Sequence, residues 1–473
     1  MESKYLKQLS VVLKSYKYLL IYGAGGVAED LLILLEPYLC KEKVCIVVSD
    51  ERENRRILKG YPVKNILEFC DIRDEVYIIL STAPRYTDQI KKNLNHLGFQ
   101  HYCTASQLTE QIYQEIWEQP VKRNKILFAN GDAYGFGGNP KYIALELMKR
   151  SRDLDLVWVT SREDAGLPEG VRAVSYGTYE HYYELGTARI WIDNQHKNFY
   201  TRKRDGQFYI QTWHGGGPLK KIEFDAEGLP EAYLDLCEMN SGMEDVMVSP
   251  SGFNSGLYRR AFHYQGEIME CGYPRNDLFW KNNGCRKKLE ELFGINPEDG
   301  ILLFAPTYRN FASEEKDILD LSWIQKALER STGKRYRILV RFHPFDKAPQ
   351  KGCYKEWIDV TAYEDVQELL AASDILITDY SSIMWDFSLQ GKTVFLFHPD
   401  LERYEKERGY YLSFADMPYI EAFSNEELVE KIEQFRLGEY QKALSDFLSD
   451  YGTFDKGIAS RAIADRILEY TEE

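Results

Sequence analysis

The chain has 473 residues, 44% hydrophobic and 14% aromatic, which describes folded globular material with more than one core and excludes a disordered or fibrous protein. A formal net charge of −15 argues against a general nucleic-acid binder, because phosphate-tracking proteins carry a surplus of Lys and Arg. The eight cysteines are scattered without a CxxC or a zinc-type Cys/His spacing, so neither a disulfide framework nor a structural metal is expected, and a reducing cytoplasm fits.

The first twenty residues carry spread lysines and no long apolar run, which reads as neither a signal peptide nor a membrane span and leaves any membrane contact peripheral. A strand (Tyr18 to Tyr22), a glycine turn (Gly23 to Gly26), a helix (Val27 to Tyr38) and a second strand (Val44 to Val48) then form a βαβ unit. The spacing G-x-G-x-x-A across Gly23, Gly25 and Ala28 lies between strand and helix. With Gly26 in the same turn and Asp50 ending the next strand, these residues are candidates for holding a nucleotide. No Tyr/Lys or His/Asp set for hydride transfer follows, so a docking or regulatory module stays open beside a bound nucleotide. Val76 to Leu80 and the helix after Tyr86 complete a doubly wound domain over residues 1–120.

A second α/β block, residues 121–265, starts with the strand Lys125 to Phe128, passes a glycine-rich loop at 131–140 and enters a helix from Lys141 to Arg150. The strands LVWVT, RIWID, YIQTW and DVMVS follow. The third block, residues 266–473, repeats the logic with ILLFAPTYR, YRILVRFHP, DILITDYSS and TVFLFHPD and ends in helices. Parallel sheets place ligand loops at the carboxyl ends of their strands. Four polar clusters fall at such ends: His214, Tyr308 with Arg309, Arg341 with His343, and Tyr380 with Ser381 and Ser382. That is the pattern of a cleft between two domains.

His214 stands before three glycines, where little bulk crowds a substrate, and imidazole titrates near neutrality, so general base catalysis is the chemistry it suits. Lys220 and Lys221 can neutralise developing phosphate charge. Ser381 and Ser382 lie where a helix should begin, a position that binds phosphate or, more plainly, caps the helix. Arg309, Arg341 and His343 are candidates for contacts to phosphate oxygens, the plain alternative being salt bridges to the abundant Asp and Glu. His398, behind an apolar run, reads as structural. No DxD-type metal constellation stands out, so metal-independent transfer is the simpler expectation.

The stretches TARIWIDNQHKN, YIQTWHGGGPLKK, GYPRND, LLFAPTYR, RFHP and TDYSSIMWDFSLQGKTVFLFHPDLERYEKERGYY occur in one order from about Asn130 onward. In this the chain resembles the CDP-glycerol glycerophosphotransferase family, the polymerases and primases of wall teichoic acids and teichoic-like capsules. The resemblance implies a GT-B fold of two Rossmann-like domains, here preceded by an extra N-terminal Rossmann-like domain. It also implies a CDP-alditol donor carrying glycerol or ribitol, a polyol-phosphate, glycan or lipid-linked acceptor, and no cofactor for the transfer itself. By position, His214 matches the family's base. His343, Arg309, Ser381, Ser382 and Asp379 match the donor pyrophosphate site, with Tyr308 beside it, and Asn139 to Tyr142, including Lys141, match the acceptor side. Where the family often reads WHGTPLK, this chain has WHGGGPLK, and the extra glycine is expected to loosen the loop. The setting implied is cytoplasmic, peripheral to the inner membrane face. Two other readings stay open: a GT-B glycosyltransferase or epimerase using a UDP-sugar, and a non-catalytic assembly protein.

Overall fold

The computed structural model describes residues 2–50, 56–131, 135–163, 166–215, 217, 219–281, 284–307, 318–342, 356–405 and 409–472. Three sheets follow one another along the chain. The first holds β1 (Tyr18–Tyr22), β2 (Val44–Val48), β3 (Ile57–Leu58), β4 (Tyr61–Asn65), β5 (Val76–Leu80) and β6 (Tyr102–Thr104), in the order β3-β4-β2-β1-β5-β6. The second holds β7 (Lys122–Phe128), β8 (Asp155–Thr160), β9 (Val171–Ser175), β10 (Ala188–Asp193), β11 (Phe208–Gln211), β12 (Val246–Ser249) and β13 (Glu267–Glu270), in the order β13-β12-β11-β10-β7-β8-β9. The third holds β14 (Gly300–Phe304), β15 (Tyr336–Val340), β16 (Ile358–Asp359), β17 (Ile375–Thr378), β18 (Thr393–Phe397) and β19 (Ile420–Ala422), in the order β16-β15-β14-β17-β18-β19.

Apart from the antiparallel hairpin of β3 with β4, the strand pairs are parallel. The sequence reason is visible in VCIVV and GILLF, which are buried at every position. A strand apolar on both faces needs helices on both faces, and those helices supply the crossovers of a parallel sheet. Among the parallel strands of each sheet the order reverses once, between β1 and β5, β7 and β10, and β14 and β17, which is where such sheets open a crevice for ligands.

Local signals set the helix ends. Thr104 and Gln107 form a capping box at the start of the helix Ala105–Trp117, and Ser251 Oγ accepts from Asn254 N at 3.1 Å to begin Gly252–Ala261. The expected helix Val27 to Tyr38 is shorter, running Gly26–Leu35 before a 3-10 turn Glu36–Tyr38, because Pro37 has no N–H to carry the ladder on.

Two features shift the expected domain boundary at residues 265 and 266. β13 pairs with β12 and so completes the second sheet. The last helix, Ala459–Glu472, also returns to that lobe, where Ile463, Ala464 and Ile467 pack with Ile126, Trp158 and Val246. Its apolar stripe matches the open face of the second sheet, and Tyr470 stacks on Phe208 with ring centroids 4.3 Å apart.

The N-terminal block docks on the second lobe. Glu115, which within the block accepts from Ser3 Oγ at 2.8 Å, Lys4 N at 2.9 Å and Tyr5 N at 3.0 Å, also accepts from the Tyr179 hydroxyl of the second lobe at 3.1 Å. Among the described residues no helix is long and apolar enough to cross a membrane.

Candidate active site

Residues that follow β11 and β12 in the second lobe and β17 in the third line one cavity of about 190 Å³, among them Trp213, His214, Lys220, Tyr258, Tyr380 and Ser382. The chain reaches His214 through an unusual turn. Trp213 has a φ of 52°, its N–H donates to Gln211 Oε1 at 2.9 Å, and its buried indole meets Phe262 edge-on at 4.8 Å. Anchoring the tryptophan inward turns the next side chain out, and His214 is exposed.

His214 Nδ1 lies 2.9 Å from the carbonyl oxygen of Asn194. A carbonyl can only accept, so Nδ1 carries the proton and Nε2 keeps the lone pair. Although the residue has an open face, the protein crowding the ring between the lobes lowers its pKa from the usual imidazole value. The Asn194 carbonyl opposes that shift and the Arg275 guanidinium adds to it. The result is a neutral imidazole with a defined basic nitrogen.

A buried polar network holds this loop. Arg275 Nη1 donates to the His214 carbonyl at 2.6 Å, while Nε and Nη2 reach Asp386 Oδ2 and Oδ1 at 2.9 and 3.3 Å. Asp386 sits on the short helix Ile383–Ser388 of the third lobe and also accepts from Gln367 Nε2 at 2.8 Å and Asn276 Nδ2 at 3.3 Å. The Tyr273 hydroxyl donates to the Gly215 carbonyl at 2.8 Å, and Tyr273 N donates to Asp455 Oδ1 at 2.8 Å. Burial pushes the Asp455 carboxyl up to about 7.

The expected looseness of the glycine run is absent at Gly217. A Cβ there would stand 2.1 Å from Trp385 Cδ2, so the backbone lies directly on the indole. Downstream, Lys221 N donates to the Gly409 carbonyl at 2.8 Å and Tyr411 N to the Leu219 carbonyl at 3.0 Å, which fixes the register of Lys220 against the third lobe.

The remaining candidates divide. Ser382 shares the cavity with His214, and Ser381 Oγ accepts from Ile383 N at 3.4 Å, so Ser381 also caps. Asp379 is buried and takes the Thr307 N–H at 2.9 and 3.1 Å and the Tyr380 N–H at 2.6 Å, which sets the loop after β14. Tyr308, Arg309 and His343 lie outside the described residues. Arg341 turns Nη1 to the carbonyls of Val360 and Tyr363 at 3.1 and 2.6 Å and borders a second interlobe cavity of about 670 Å³. His398 is fully buried and stacks on Phe423, as its apolar setting implied, and burial lowers its pKa to about 4.

Asn139 and Lys141, expected on the acceptor side, are instead committed inside the protein. Asn139 is fully buried, donating to the Trp213 carbonyl at 3.1 Å and accepting from Arg275 N at 3.2 Å. Lys141 Nζ reaches across to Asp365 Oδ2 of the third lobe at 2.6 Å. Both residues lie at the entry of the helix Gly138–Arg150, where Asn139 is used up by its own lobe and Lys141 by the opposite one.

At the N-terminal glycine turn, Gly23 has a φ of 119°, and a Cβ there would come 2.9 Å from the Ser81 carbonyl, so only glycine fits. Gly25 and Gly26 open the helix, and Asp50 is exposed just past β2. The second lobe contacts this carboxyl edge: Tyr200 donates its hydroxyl to the Thr82 carbonyl at 2.7 Å, Asn198 Nδ2 reaches Asp30 Oδ2 at 3.2 Å, and Phe199 and Tyr200 join the apolar cluster of Ala24 and Val27. Protein therefore occupies part of the crevice for which a nucleotide and a docking role were both open.

GYPRND is one of the family-like stretches, yet the sequence alone assigns Arg275 no role, and it does not single out Asn194, Asp386 or Asp455. The one available signal was an Arg and an Asp in segments dense in glycine, proline and aromatics.

Two parallel α/β lobes closing on a cavity, with a tautomer-defined histidine on one wall and a serine-lined turn on the other, define a two-lobed α/β protein built around an interlobe cleft. The sequence profile of the CDP-Glycerol:Poly(glycerophosphate) glycerophosphotransferase family matches residues 111–469, and the chain belongs to that family. It is 30% identical over 370 residues to a teichoic acid poly(glycerol phosphate) polymerase of Staphylococcus epidermidis, covering 74% of this chain and 51% of the relative. It is 28% identical over 420 residues to the Bacillus subtilis protein of the same name, covering 83% and 54%. The chain thus spans about half the length of these two relatives. The solved structure of the wall teichoic acid polymerase TagF matches with a TM-score of 0.68 at 27% identity, covering 82% of this chain and 97% of that one.

Proposed function

We propose that this protein transfers an alditol phosphate from a CDP-alditol to a hydroxyl of a teichoic-acid-like or capsular acceptor and releases CMP. The observation that carries the reading is the His214 imidazole, its Nδ1 tied to the Asn194 carbonyl, on the wall of a cavity it shares with Ser382. Membership of the family and the likeness to teichoic acid polymerases support it.

The acceptor hydroxyl gives its proton to His214 Nε2. Its oxygen bonds to the β-phosphorus as the bond from that phosphorus to the bridging oxygen breaks, and the electron pair leaves with CMP. Arg309 and His343, beyond β14 and β15, together with Ser381 and Ser382, take the charge of the pyrophosphate, and Lys220 faces the same cavity. The second and third sheets act as the GT-B pair. The first is an added Rossmann-like block whose crevice serves docking onto the second lobe. The setting is cytoplasmic, at the inner face of the membrane where a polymer or lipid-linked acceptor is reached. Relatives named for glycerol phosphate and for ribitol phosphate make CDP-glycerol and CDP-ribitol the two donors to compare.

Mass spectrometry of products from CDP-glycerol and CDP-ribitol with short synthetic polyol-phosphate acceptors tests this directly. One new phosphodiester and one CMP per turnover is the expected result. Inertness with both donors, together with thermal stabilisation by UDP and none by CMP or CDP, would favour a UDP-sugar enzyme instead.

A further inference from the structure

Behind the His214 loop, three side chains from three elements converge and take no part in the proposed transfer. His196 follows β10, Glu223 opens the turn Glu223–Asp225, and Cys237 lies on the helix Glu231–Met243. One nitrogen, one carboxylate oxygen and one sulfur of these residues all lie within 4.8 Å of one another. His196 Nε2 is 3.3 Å from Glu223 Oε2, the Cys237 thiol also meets that oxygen, and the Tyr233 hydroxyl donates to Oε1 at 3.0 Å.

Two further observations set the cluster apart from an ordinary hydrogen-bonded carboxylate. Glu223 holds a φ of 50°, a left-handed backbone that is strained for a non-glycine residue, and it does so with its side chain only 3% exposed. The His196 side chain is 8% exposed, yet its Nδ1 has no hydrogen-bond partner among the described residues. A carboxylate only accepts, so in the metal-free protein Nε2 carries the ring proton toward Glu223 and the buried Nδ1 is left without a partner among those residues; a metal ion at Nε2 moves that proton to Nδ1 and turns the Nε2 lone pair toward the carboxylate and the sulfur.

We propose that His196 Nε2, Glu223 Oε2 and Cys237 Sγ bind one Zn²⁺ ion that clamps the loop presenting His214. Imidazole nitrogen, carboxylate oxygen and thiolate sulfur are a donor set suited to this ion, with a fourth position open to the Tyr233 hydroxyl or water. Binding sends the Cys237 thiol proton to solvent. The thiolate and the Glu223 carboxylate then offset the two positive charges, so the buried site is left without net charge. His196 stands two residues from Asn194, whose carbonyl orients His214, so the ion acts on positioning and leaves the transfer chemistry unchanged. The ligands are too far apart in the chain to form a zinc-type spacing, which is why the cysteine pattern predicted no metal.

The test uses the full-length protein, stripped with a chelator and titrated with Co²⁺ as the probe. Expected is one Co²⁺ per chain with a thiolate-to-cobalt charge-transfer band in the near ultraviolet, bleached by Zn²⁺. The band should vanish in Cys237→Ser and in His196→Gln and persist in Cys40→Ser, which removes an exposed thiol. No stoichiometric uptake, uptake without the band, or a band that survives Cys237→Ser overturns the proposal. Should Cys237→Ser fail to fold by circular dichroism, His196→Gln decides by the same reading. None of these readouts depends on which donor the enzyme uses, so the metal site and the proposed function fail separately.

Discussion

Arg275 and Asp386 clasp the second and third lobes together, with guanidinium Nε and Nη2 at 2.9 and 3.3 Å from the two carboxylate oxygens and both side chains buried. The same guanidinium donates to the His214 carbonyl, so lobe closure and the placement of the histidine share one cation. Arg275→Ala leaves Asp386 buried and unpaired, which typically costs about 3–5 kcal/mol. Denaturant midpoints should record that loss, and adding Asp386→Asn should restore part of it. Losses that simply add would mean that the pair does not couple.

Gly217 predicts a steric defect. Gly217→Ala drives its methyl into the Trp385 indole, and overpacking of this kind costs about 1–3 kcal/mol. The melting temperature should fall, with recovery on combining the change with Trp385→Leu, which vacates the ring. A loop that tolerated alanine without loss would show that the backbone does not rest on the indole.

The pH profile follows from His214. Its pKa is lowered, and a base must be deprotonated to work, so the acid limb of kcat/KM should lie below the ordinary imidazole value of about 6.5. Activity should persist to lower pH than a free imidazole base would allow. A limb at or above 6.5 assigned to His214 would contradict the crowded, Arg275-flanked setting.

Asp455 carries an opposite pH signature in stability. Its folded pKa of about 7 lies above the ordinary Asp value of 3.8, so the stability it contributes is fully present below about pH 4 and is lost as pH rises through 7. Asp455→Asn keeps an acceptor for Tyr273 N but cannot ionise. Between pH 5 and pH 8 its denaturation midpoint should therefore fall less than that of the wild type. Equal slopes would mean that Asp455 does not titrate in this range.

Much of the architecture was legible because the strands are continuous apolar runs between glycine, proline and capping residues, signals that act locally. TVFLF and GILLF, short apolar runs with turn residues on both sides, read as buried strands and are. His214 was legible for a similar reason, as a histidine at a strand end before glycines. What stayed hidden is non-local. Nothing in EIME says that β13 belongs to the second sheet, and nothing in the last helix says that Ile463 and Ile467 return to it. Asn139 and Lys141 looked available because their partners are distant in the chain: Trp213 and Arg275 take the asparagine, and Asp365 of the opposite lobe takes the lysine. Arg275 and Asp386 lie far apart in the chain, so their meeting could not be read from either segment.

The most direct test of the whole account is single-turnover transfer from a CDP-alditol by purified wild type and His214→Ala, with folding of the variant verified by circular dichroism. A general base contributes roughly 10² to 10⁴-fold, so the alanine variant should lose alditol-phosphate transfer by that factor while still binding CDP. Transfer by His214→Ala at near the wild-type rate would contradict the account.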